Sequence, residues 1–522
     1  MLLRIVFYIP KPHMLPLPLN EKQNAKPLLR ALHTKSEDLW IRRGERQALK
    51  LFRAMAERVP AYKKFLKQNK VRPESIKIIK DFRKLPAIDK DNYLRKYPLP
   101  ELCWDGKFSS ERWTIASTSG STGEPFYFPR QKKQDWQYAL MAELYLLSNF
   151  SIDKKSTLYI DAFPLGPWIG GIFTYEAIRL VAEHGKYPLS IYTAGINKKE
   201  IIKAVRKFGP FFDQIIIGCY GPFLKDALDD GVREGLDWSV YPIKFVFSAE
   251  GFTEEFRDYV LKLVGKPDPF LSTLNHYGTV DLGTMSHETP LAILTRRLAL
   301  ADKNLYSAVF NNSQKLPTIT QFLPEQFYFE EVQGGLYCSA DSGLPLVRYN
   351  LKDNGGVFTL EQLKKLYTDN GYSLRTEVSK NKLDKTIWQL PFVYVYERND
   401  FSISLYAFQI YPETIRRALQ VSQFESQVTG KFTMQVIYDK AMNQGFEVNV
   451  ELKSSVKATE KLNKDIVGVL TSALLLENSE FQKTHDEIGA RIEPKIILWP
   501  YEDLTFFRPG TKQQWVIKNK IN

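Results

Sequence analysis

Residues 117–125 read Ser117-Thr118-Ser119-Gly120-Ser121-Thr122-Gly123-Glu124-Pro125. Two glycines and five hydroxyl side chains occur in the first seven of these positions, between β-like runs at 113–116 and 126–128. Glycines let successive backbone N–H groups converge, and hydroxyls add donors, so a loop of this kind can wrap phosphate oxygens. It is not a Walker loop, because no Lys-Ser/Thr pair follows the second glycine. A Ser/Thr-rich turn without a ligand is the alternative interpretation.

The composition is that of a globular protein with more than one domain. The chain has 522 residues, of which 44% are hydrophobic and 25% charged, and its mass of 60.4 kDa exceeds what one core usually holds. Its three cysteines, Cys103, Cys219 and Cys338, are far apart, which excludes a disulfide scaffold and a CxxC metal site. We expect a reducing, cytoplasmic location. No apolar run reaches the ~20 residues of a membrane-spanning helix, so no transmembrane segment is predicted.

Positive charge is concentrated in the N-terminal fifth of the chain. The net charge is +13, yet residues 1–100 hold 24 basic and 9 acidic residues, and the rest hold 48 basic and 50 acidic ones. A basic face can attract nucleic acid, an anionic membrane or a polyphosphate, or it can simply be a solvated helix surface. We favour the solvated surface and expect no nucleic-acid partner, because Trp40, Phe52, Tyr62 and Phe65 fall at spacings that suit packing onto a main domain.

Hydrophobic periodicity predicts an α/β fold in three parts. Residues 1–110 form a basic, mainly helical segment packed on the main domain, after an extended arm over the first 20 residues. Residues 111–399 form an α/β core, with strands at 157–161, 214–218 and 243–247 and helices at 131–149 and 253–264. Residues 285–335 resemble an insertion with mixed strand signals. Residues 400–522 form a small, separate α+β domain, with a helix at 412–420 and strands at 432–438 and 446–452.

The order of residues in the 119–125 stretch is more specific than its composition. It resembles the phosphate loop of adenylate-forming (AMP-binding) ligases, usually written (S/T)SG(S/T)TGxPK, and Phe126 stands where that loop usually has lysine. The phenylacetate–coenzyme A ligase branch often lacks this lysine, so the resemblance is to that branch. It implies a large N-terminal α/β domain of the adenylate-forming type and a small, mobile C-terminal α+β domain. The implied nucleotide-binding residues are Thr118, Ser119, Gly120, Ser121, Thr122 and Gly123.

Further similarities follow in the family's order. Residues 163–173 (FPLGPWIGGIF) are similar to the stretch that lines the acyl pocket, which implies Phe163, Trp168, Gly170 and Gly171 as substrate-binding residues. Ser248-Ala249-Glu250 resembles the adenine-side motif. His276-Tyr277-Gly278-Thr279-Val280-Asp281 resembles YG(S/T)TE, whose tyrosine stacks on adenine and whose acid, here Asp281, binds magnesium and serves catalysis. Residues 346–353 resemble the YRTGD segment, whose aspartate, here Asp353, holds the ribose, and Lys352 replaces the glycine before it.

Two similarities lie towards the C-terminus. Arg398-Asn399-Asp400 resembles the family's interdomain hinge, although residues 402–408 depart from the usual KxxG. Gly510-Thr511-Lys512 resembles the terminal segment whose lysine contacts the carboxylate and the α-phosphate, with Lys518 as the competing choice.

The resemblance implies an AMP-forming acid–thiol ligase that uses ATP, Mg²⁺ and coenzyme A. The acid is expected to be aromatic or apolar, given Phe163, Trp168 and Phe173. One alternative is transfer of the acyl group to an amine or a carrier protein in polysaccharide or secondary-metabolite synthesis. Another is a catalytically degenerate scaffold or anion-binding protein. No structural zinc is predicted, and a homodimer is compatible with the sequence.

Overall fold

The chain is built around one large mixed sheet. The computed structural model describes residues 25–117, 126–265, 268–310, 316–398, 402–507 and 515–517, so the N-terminal arm expected over residues 1–20 lies outside them. The strands are β1 (Thr114–Ser117), β2 (Tyr127–Arg130), β3 (Thr157–Asp161), β4 (Leu189–Thr193), β5 (Gln214–Cys219), β6 (Ile243–Phe247), β7 (Thr273–Thr279), β8 (Gly283–His287), β9 (Thr318–Gln321), β10 (Tyr328–Val332), β11 (Gly335–Ser342), β12 (Leu344–Phe358), β13 (Phe392–Arg398), β14 (Ile403–Leu405), β15 (Phe408–Ile410), β16 (Val428–Tyr438), β17 (Gln444–Leu452) and β18 (Pro494–Trp499).

Helices cover both faces of that sheet. They are α1 (Lys26–Thr34), α2 (Glu37–Arg58), α3 (Pro60–Gln68), α4 (Ile79–Phe82), α5 (Leu99–Leu102), α6 (Lys132–Phe150), α7 (Ile169–Gly185), α8 (Lys198–Phe208), α9 (Gly221–Arg233), α10 (Glu254–Leu263), α11 (Pro290–Ala301), α12 (Lys303–Phe310), α13 (Leu360–Asp369), α14 (Leu374–Lys380), α15 (Pro412–Leu419), α16 (Glu460–Glu477) and α17 (Ser479–Ile488).

Eleven strands pair in the order β10-β11-β12-β13-β9-β8-β7-β6-β5-β3-β4. The half from β4 to β7 is parallel, and the half from β7 to β10 is antiparallel. Residues Ile215, Ile216 and Ile217 of β5 are fully buried because α6 and α7 cover one face while α8, α9 and α10 cover the other. The strands and helices predicted in this half are confirmed.

The basic N-terminal helices pack onto the antiparallel half of the sheet. Phe52, Tyr62 and Phe65 are each at most 5% exposed and share a core with Leu346 and Tyr349 of β12. Trp40 is fully buried against the group around α6. The predicted packing of these aromatic residues is confirmed.

The mixed strand pattern predicted for 285–335 is wrong over its first half. Residues 290–310 form α11 and α12, and only then does the chain return to the sheet as β9 and β10. Helix α11 is apolar nearly all round, because most of its residues lie buried beneath α12 and α13. A helix buried on all sides has no amphipathic stripe, which is why it resembled strand sequence.

The C-terminal part has its own small sheets. β14 and β15 form a hairpin, and β16, β17 and β18 form a three-stranded sheet beside α16. Their apolar side chains continue the core beneath α8 and α9, where Leu405 and Phe408 share one buried cluster with Phe223. The division of the chain at 110 and at 399 stays a prediction. Among the described residues, no helix is both long and apolar enough to cross a membrane.

Candidate active site

The predicted phosphate loop joins the two strands of a hairpin. β1 and β2 pair antiparallel with Ser117 opposite Tyr127, and residues 118–125 between them lie outside the described residues. The Ser117 N–H donates to the Pro167 carbonyl at 2.9 Å. The start of the loop is therefore tied to the predicted acyl-pocket segment 163–171. The roles of Thr118, Ser119, Gly120, Ser121, Thr122 and Gly123 stay predictions.

Two residues of the similar motifs meet directly in the large sheet. The Tyr277 hydroxyl, on β7, donates to Oδ2 of Asp353, on β12, at 2.6 Å. Both side chains are buried, with exposures of 7% and 6%. The Tyr277 ring stacks on Phe329, with centroids 6.1 Å apart. The predicted adenine-side tyrosine and the predicted ribose-side aspartate thus form one hydrogen-bonded unit.

Asp281 belongs to the same group of side chains. It lies in the turn between β7 and β8, accepts a short hydrogen bond from the Tyr349 hydroxyl, and has Lys90 Nζ 3.2 Å from its Oδ1. Tyr349 is on β12, four residues before Asp353. The fold therefore gathers Tyr277, Asp281, Tyr349 and Asp353 at one place, although the two segments are far apart in sequence.

The residues around Asp281 fit a magnesium ion only in part. Magnesium is commonly held by one or two carboxylates plus phosphate oxygens. Asp281 offers one carboxylate, and the described residues contain no group of three or more His, Cys, Asp or Glu side chains that could hold an ion. The Lys90 ammonium already neutralises that carboxylate, so an ion bound there would replace or move Lys90. The metal role of Asp281 stays a prediction.

Backbone geometry explains two further positions of these motifs. A Cβ at Gly278 would lie 2.7 Å from the Gly283 carbonyl oxygen, so the tight β7–β8 connection requires glycine there. The next residue, Thr279, accepts the Leu282 N–H at 3.2 Å and closes the turn. Lys352, which stands where the similar motif has glycine, has a φ of 62°. This left-handed conformation is one that glycine adopts without strain. The Lys352 ammonium pairs with Asp89 at 2.6 Å.

The Ser248-Ala249-Glu250 motif lies at the carboxyl end of β6 and faces the C-terminal part of the chain. Glu250 Oε1 accepts the Ser404 hydroxyl at 2.9 Å and the Ala407 N–H at 2.5 Å. The Glu250 carbonyl accepts Asn275 Nδ2 at 2.8 Å, which ties this motif to β7. Ala249 takes φ of 72°. Glu250 therefore connects the sheet to the β14–β15 hairpin, and its predicted adenine-side role is not tested.

The predicted acyl-pocket segment turns sharply between β3 and α7. Phe163 is 2% exposed, and its ring lies 5.4 Å from that of Tyr220. A Cβ at Gly171 would lie 2.6 Å from the Pro164 carbonyl oxygen, so this position needs glycine. A Cβ at Gly170 would approach both Phe163 and the Tyr220 hydroxyl at 3.4 Å. Trp168 caps the start of α7, and its indole Nε1 is buried without a hydrogen-bond partner among the described residues.

His276 lies on the opposite face of β7 from Tyr277. It is 3% exposed and packs against Tyr138 and Tyr145 of α6, with ring centroids 5.9 and 5.1 Å away. Burial, with a smaller contribution from His287, lowers the pKa of His276 well below its usual range. The side chain is therefore a neutral part of the core, and the structure does not bring it to the Tyr277–Asp353 pair.

Two partners in this group, Tyr349 and Lys90, are not predicted from the sequence. Tyr349 lies inside the similar segment 346–353 and could have been found there as a buried hydroxyl with the same strand parity as Asp353. Lys90 had no local signal, because only the packing of the N-terminal segment brings it to Asp281.

Two predicted residues of the C-terminal part lie beyond what the structure shows. The backbone of Arg398 ends β13, but its side chain is not described, and Lys512 and the competing Lys518 lie outside the described residues. Residues 515–517, which follow Lys512, run beside β16, where the Trp515 carbonyl accepts the Met434 N–H at 2.9 Å. The roles of Arg398 and Lys512 stay predictions.

The sheet order, the hairpin at 114–130 and the added C-terminal sheets define the fold of the adenylate-forming ligases, as the resemblance implies. The chain is similar to the solved structure of 2-hydroxyisobutyryl-CoA ligase in complex with 2-HIB-AMP and CoA in the thioesterification state. The TM-score is 0.62 at 14% identity, over 94% of this chain and 91% of that one. The same ligase in the postadenylation state with 2-HIB-AMP gives a TM-score of 0.52 at 14% identity, over 94% and 92% of the two chains. No protein-family model matches the sequence, and no curated protein matches it.

Proposed function

We propose that this protein is an ATP-dependent, AMP-forming ligase that activates a carboxylic acid as an acyl-adenylate and transfers the acyl group to coenzyme A. The observation that carries the proposal is the group formed by Tyr277, Asp353, Tyr349 and Asp281. These residues belong to two separate motifs that were matched by amino-acid sequence alone, and they are hydrogen-bonded to each other in the expected fold. The similar ligase of known structure, a CoA ligase bound to 2-HIB-AMP and CoA, supports the same chemistry.

The first half-reaction joins two anions. A carboxylate oxygen attacks the α-phosphorus of ATP, and pyrophosphate leaves with the electron pair of the broken P–O bond. The acid is already ionised near neutral pH, so no general base is needed, and catalysis consists of positioning and charge neutralisation. Residues 118–123 would hold the β- and γ-phosphates, Asp353 the ribose, Tyr277 the adenine, and Lys512 the reacting carboxylate. A magnesium ion, when bound, would neutralise charge on the phosphate oxygens.

The second half-reaction breaks the mixed anhydride. The thiol sulfur of coenzyme A attacks the acyl carbon, the thiol proton goes to solvent, and AMP leaves as the phosphate anion. The β14–β15 hairpin is a candidate for the element that changes contacts between the two steps, because Glu250 holds it against the sheet in this arrangement.

The test is ATP–pyrophosphate exchange over a panel of carboxylic acids, followed by AMP release with and without coenzyme A. We expect exchange with at least one acid, and AMP release that depends on the thiol. AMP release that depends on an amine or a carrier protein instead would show that the acyl acceptor is an amine or a carrier protein and not coenzyme A. Absence of exchange with every acid, together with absence of ATP binding, would falsify the ligase and favour a scaffold.

Variants of the loop and of the terminal lysine sharpen this test. Gly123→Val should abolish ATP binding, because a side chain blocks close approach of the backbone to phosphate. Lys512→Ala should depress exchange by a few orders of magnitude and spare thioester formation from a supplied acyl-adenylate. Lys518→Ala is the matched control. The assignment of Lys512 is wrong if Lys518→Ala depresses ATP–pyrophosphate exchange and Lys512→Ala does not.

A further inference from the structure

A narrow cleft lies between the predicted acyl-pocket segment and the C-terminal part of the chain. Trp168 and Tyr220 line its main-sheet side. Tyr406, from the β14–β15 turn, and Glu480, from α17, line the opposite side. The cleft measures about 240 Å³ with the space that opens to solvent, and its interior leaves about 10 Å³ free, enough for about one water molecule. The space therefore suits the end of a thin chain and not a bulky group.

The main-sheet side of the cleft holds a hydrogen-bond donor without a partner. The indole Nε1 of Trp168 is buried and donates to nothing among the described residues. A buried donor in this state is unfavourable and indicates that a ligand accepts from it. The same side reaches the predicted acyl pocket, because a Cβ at Gly170 would lie 3.4 Å from the Tyr220 hydroxyl. The pantetheine arm of coenzyme A is a thin chain with amide carbonyls, and it ends in a thiol.

The opposite side of the cleft holds an acid without a partner. Glu480 is partly buried, and within the described part of the chain its carboxylate has no hydrogen bond and no ion pair. Burial raises the pKa of Glu480 to about 7. The titratable groups that face it across the cleft are the hydroxyls of Tyr220 and Tyr406, which are neutral because burial raises the pKa of each. Lys483, one turn further along α17, also lines the cleft but is exposed.

The β14–β15 hairpin fixes the position of this acid. Asn478 caps α17, and its Oδ1 accepts the Glu480 N–H at 3.1 Å. The Asn478 Nδ2 donates to the Gln409 carbonyl of β15 at 3.0 Å. Glu250 in turn holds the hairpin against the main sheet. Glu480 therefore faces the acyl-pocket segment through contacts made by the same hairpin that is a candidate for changing its contacts between the two half-reactions.

We propose that Glu480 is the base of the second half-reaction and takes the proton from the thiol of coenzyme A in this cleft. The proposal rests on the proposed function and adds a catalytic residue to its thioester-forming step. A Glu480 carboxylate oxygen accepts the thiol proton while the sulfur forms its bond to the acyl carbon. The bond between that carbon and the phosphate oxygen breaks, and AMP leaves with the electron pair. Glu480 then releases the proton to solvent through the open side of the cleft.

The acidity of the two groups suits this transfer. A thiol has an ordinary pKa of about 8.5, so it is mostly protonated near neutral pH, whereas the thiolate is the nucleophile. A base is most effective when its pKa lies near the working pH, and burial brings Glu480 there. The first half-reaction needs no base, so the loss of this carboxylate should affect thioester formation alone.

The experiment separates the two half-reactions in Glu480→Gln, which keeps the shape of the side chain and removes the base. An acid that supports ATP–pyrophosphate exchange is supplied as its acyl-adenylate, and single-turnover thioester formation with coenzyme A is followed at pH 7. The rate should fall by about 100-fold or more, since general bases contribute about 10²–10⁴-fold. Exchange should stay within about twofold of the wild type, and Glu480→Asp should restore part of the thioester rate.

The pH profile gives a readout that a merely structural role would not change. The wild-type rate of thioester formation should rise as the pH increases through about 7, where Glu480 loses its proton. Glu480→Gln should lack this inflection and rise only towards the ordinary pKa of a thiol, about 8.5. Asp486→Asn is the matched control, because Asp486 is an exposed carboxylate on the same helix. It should keep both the rate and the profile of the wild type.

Three outcomes would contradict the proposal at different points. Equal thioester rates and equal pH profiles in the wild type and Glu480→Gln would overturn it, and so would an equal loss of exchange and thioester formation. Wild-type exchange without any thioester from coenzyme A would overturn both this step and the proposed acceptor, and would leave adenylation intact. Absence of wild-type exchange with every acid would overturn the proposed function itself.

Discussion

At the scale of single residues, the Tyr277–Asp353 hydrogen bond is the most consequential contact of the candidate site. Tyr277→Phe removes only the hydroxyl and leaves the ring on Phe329. A buried hydrogen bond to a charged group contributes about 1.5–3 kcal/mol, so we expect a loss of that order in the free energy of unfolding by urea. The proposed ribose-binding role of Asp353 predicts that ATP affinity falls as well, because Asp353 loses the group that orients it.

Tyr97→Phe is the control for this variant. The Tyr97 hydroxyl donates to Gln68 at the surface, and its loss should change the unfolding free energy by no more than about 0.5 kcal/mol. Equal effects in the two variants would show that the Tyr277 hydroxyl contributes nothing specific.

At the scale of secondary-structure elements, a buried ionic network fixes α10 and α11 beneath β7. Glu288 accepts hydrogen bonds from Arg257 and Arg296, both less than 2% exposed, and Glu254 pairs with the same two arginines. Glu288→Ala removes one of the two carboxylates that pair with the buried guanidinium groups of Arg257 and Arg296. We expect a loss of about 3–5 kcal/mol in the free energy of unfolding. Glu361→Ala, at an exposed pair with Lys364, should lose less than about 1 kcal/mol.

The β14–β15 turn is the second element with a specific prediction. Tyr406 and Ala407 both take positive φ, 47° and 70°, as a two-residue hairpin turn requires, yet neither is the Asn or Gly usual there. Ala407→Gly should therefore raise the unfolding free energy by about 1 kcal/mol while keeping the N–H that donates to Glu250. Ala473→Gly, within α16, should lower it by about the same amount. Destabilisation by both changes would exclude strain at Ala407.

At the scale of the whole molecule, a buried carboxylate joins the C-terminal part to the main sheet. Asp226 of α9 is 1% exposed, pairs with Arg491 at 2.8 Å and accepts the Tyr406 hydroxyl at 2.8 Å. Asp226→Ala should lower the free energy of unfolding by about 3–5 kcal/mol and speed proteolytic cleavage within the C-terminal part, because Arg491 and Tyr406 lose their common partner. Lys495→Ala, which removes an exposed ammonium 3.6 Å from Glu447, should do neither. Unchanged cleavage in Asp226→Ala would show that apolar packing alone holds the two parts together.

Acid sensitivity is the second property of the whole molecule that the core determines. Burial lowers the pKa of His287 to about 4, so the folded state holds this imidazole neutral while the unfolded chain protonates it near its ordinary value. The stability gained by keeping His287 neutral is fully present above the ordinary pKa of histidine and is lost as the pH falls towards 4. Between about pH 7.5 and 5, the wild type should lose about 2 kcal/mol more than His287→Gln does. Parallel pH profiles for the two proteins would contradict a neutral, buried His287.

Much of the fold followed from local sequence. The apolar runs of β3, β5 and β6, the stripe of α6 and the Thr253 cap of α10 predicted elements that the structure confirms within about two residues. These signals work because a run of apolar residues and a capping side chain act through residues that are adjacent in the chain. Helix α11 was not predicted, because its burial on nearly all sides removes the polar face that marks a helix.

The candidate site shows the same division between what local sequence predicts and what depends on packing. Local sequence specifies the residue types that we propose for nucleotide binding. They are the Gly-Ser-Thr loop, Tyr277, Asp281 and Asp353, each recognisable within a few neighbouring positions. The packing of the whole chain is what bonds Tyr277 to Asp353 and places Lys90 against Asp281. These contacts join segments that are distant in the chain or depend on complete exclusion of water. Burial and long-range pairing are properties of the packed molecule, so no local pattern encodes them.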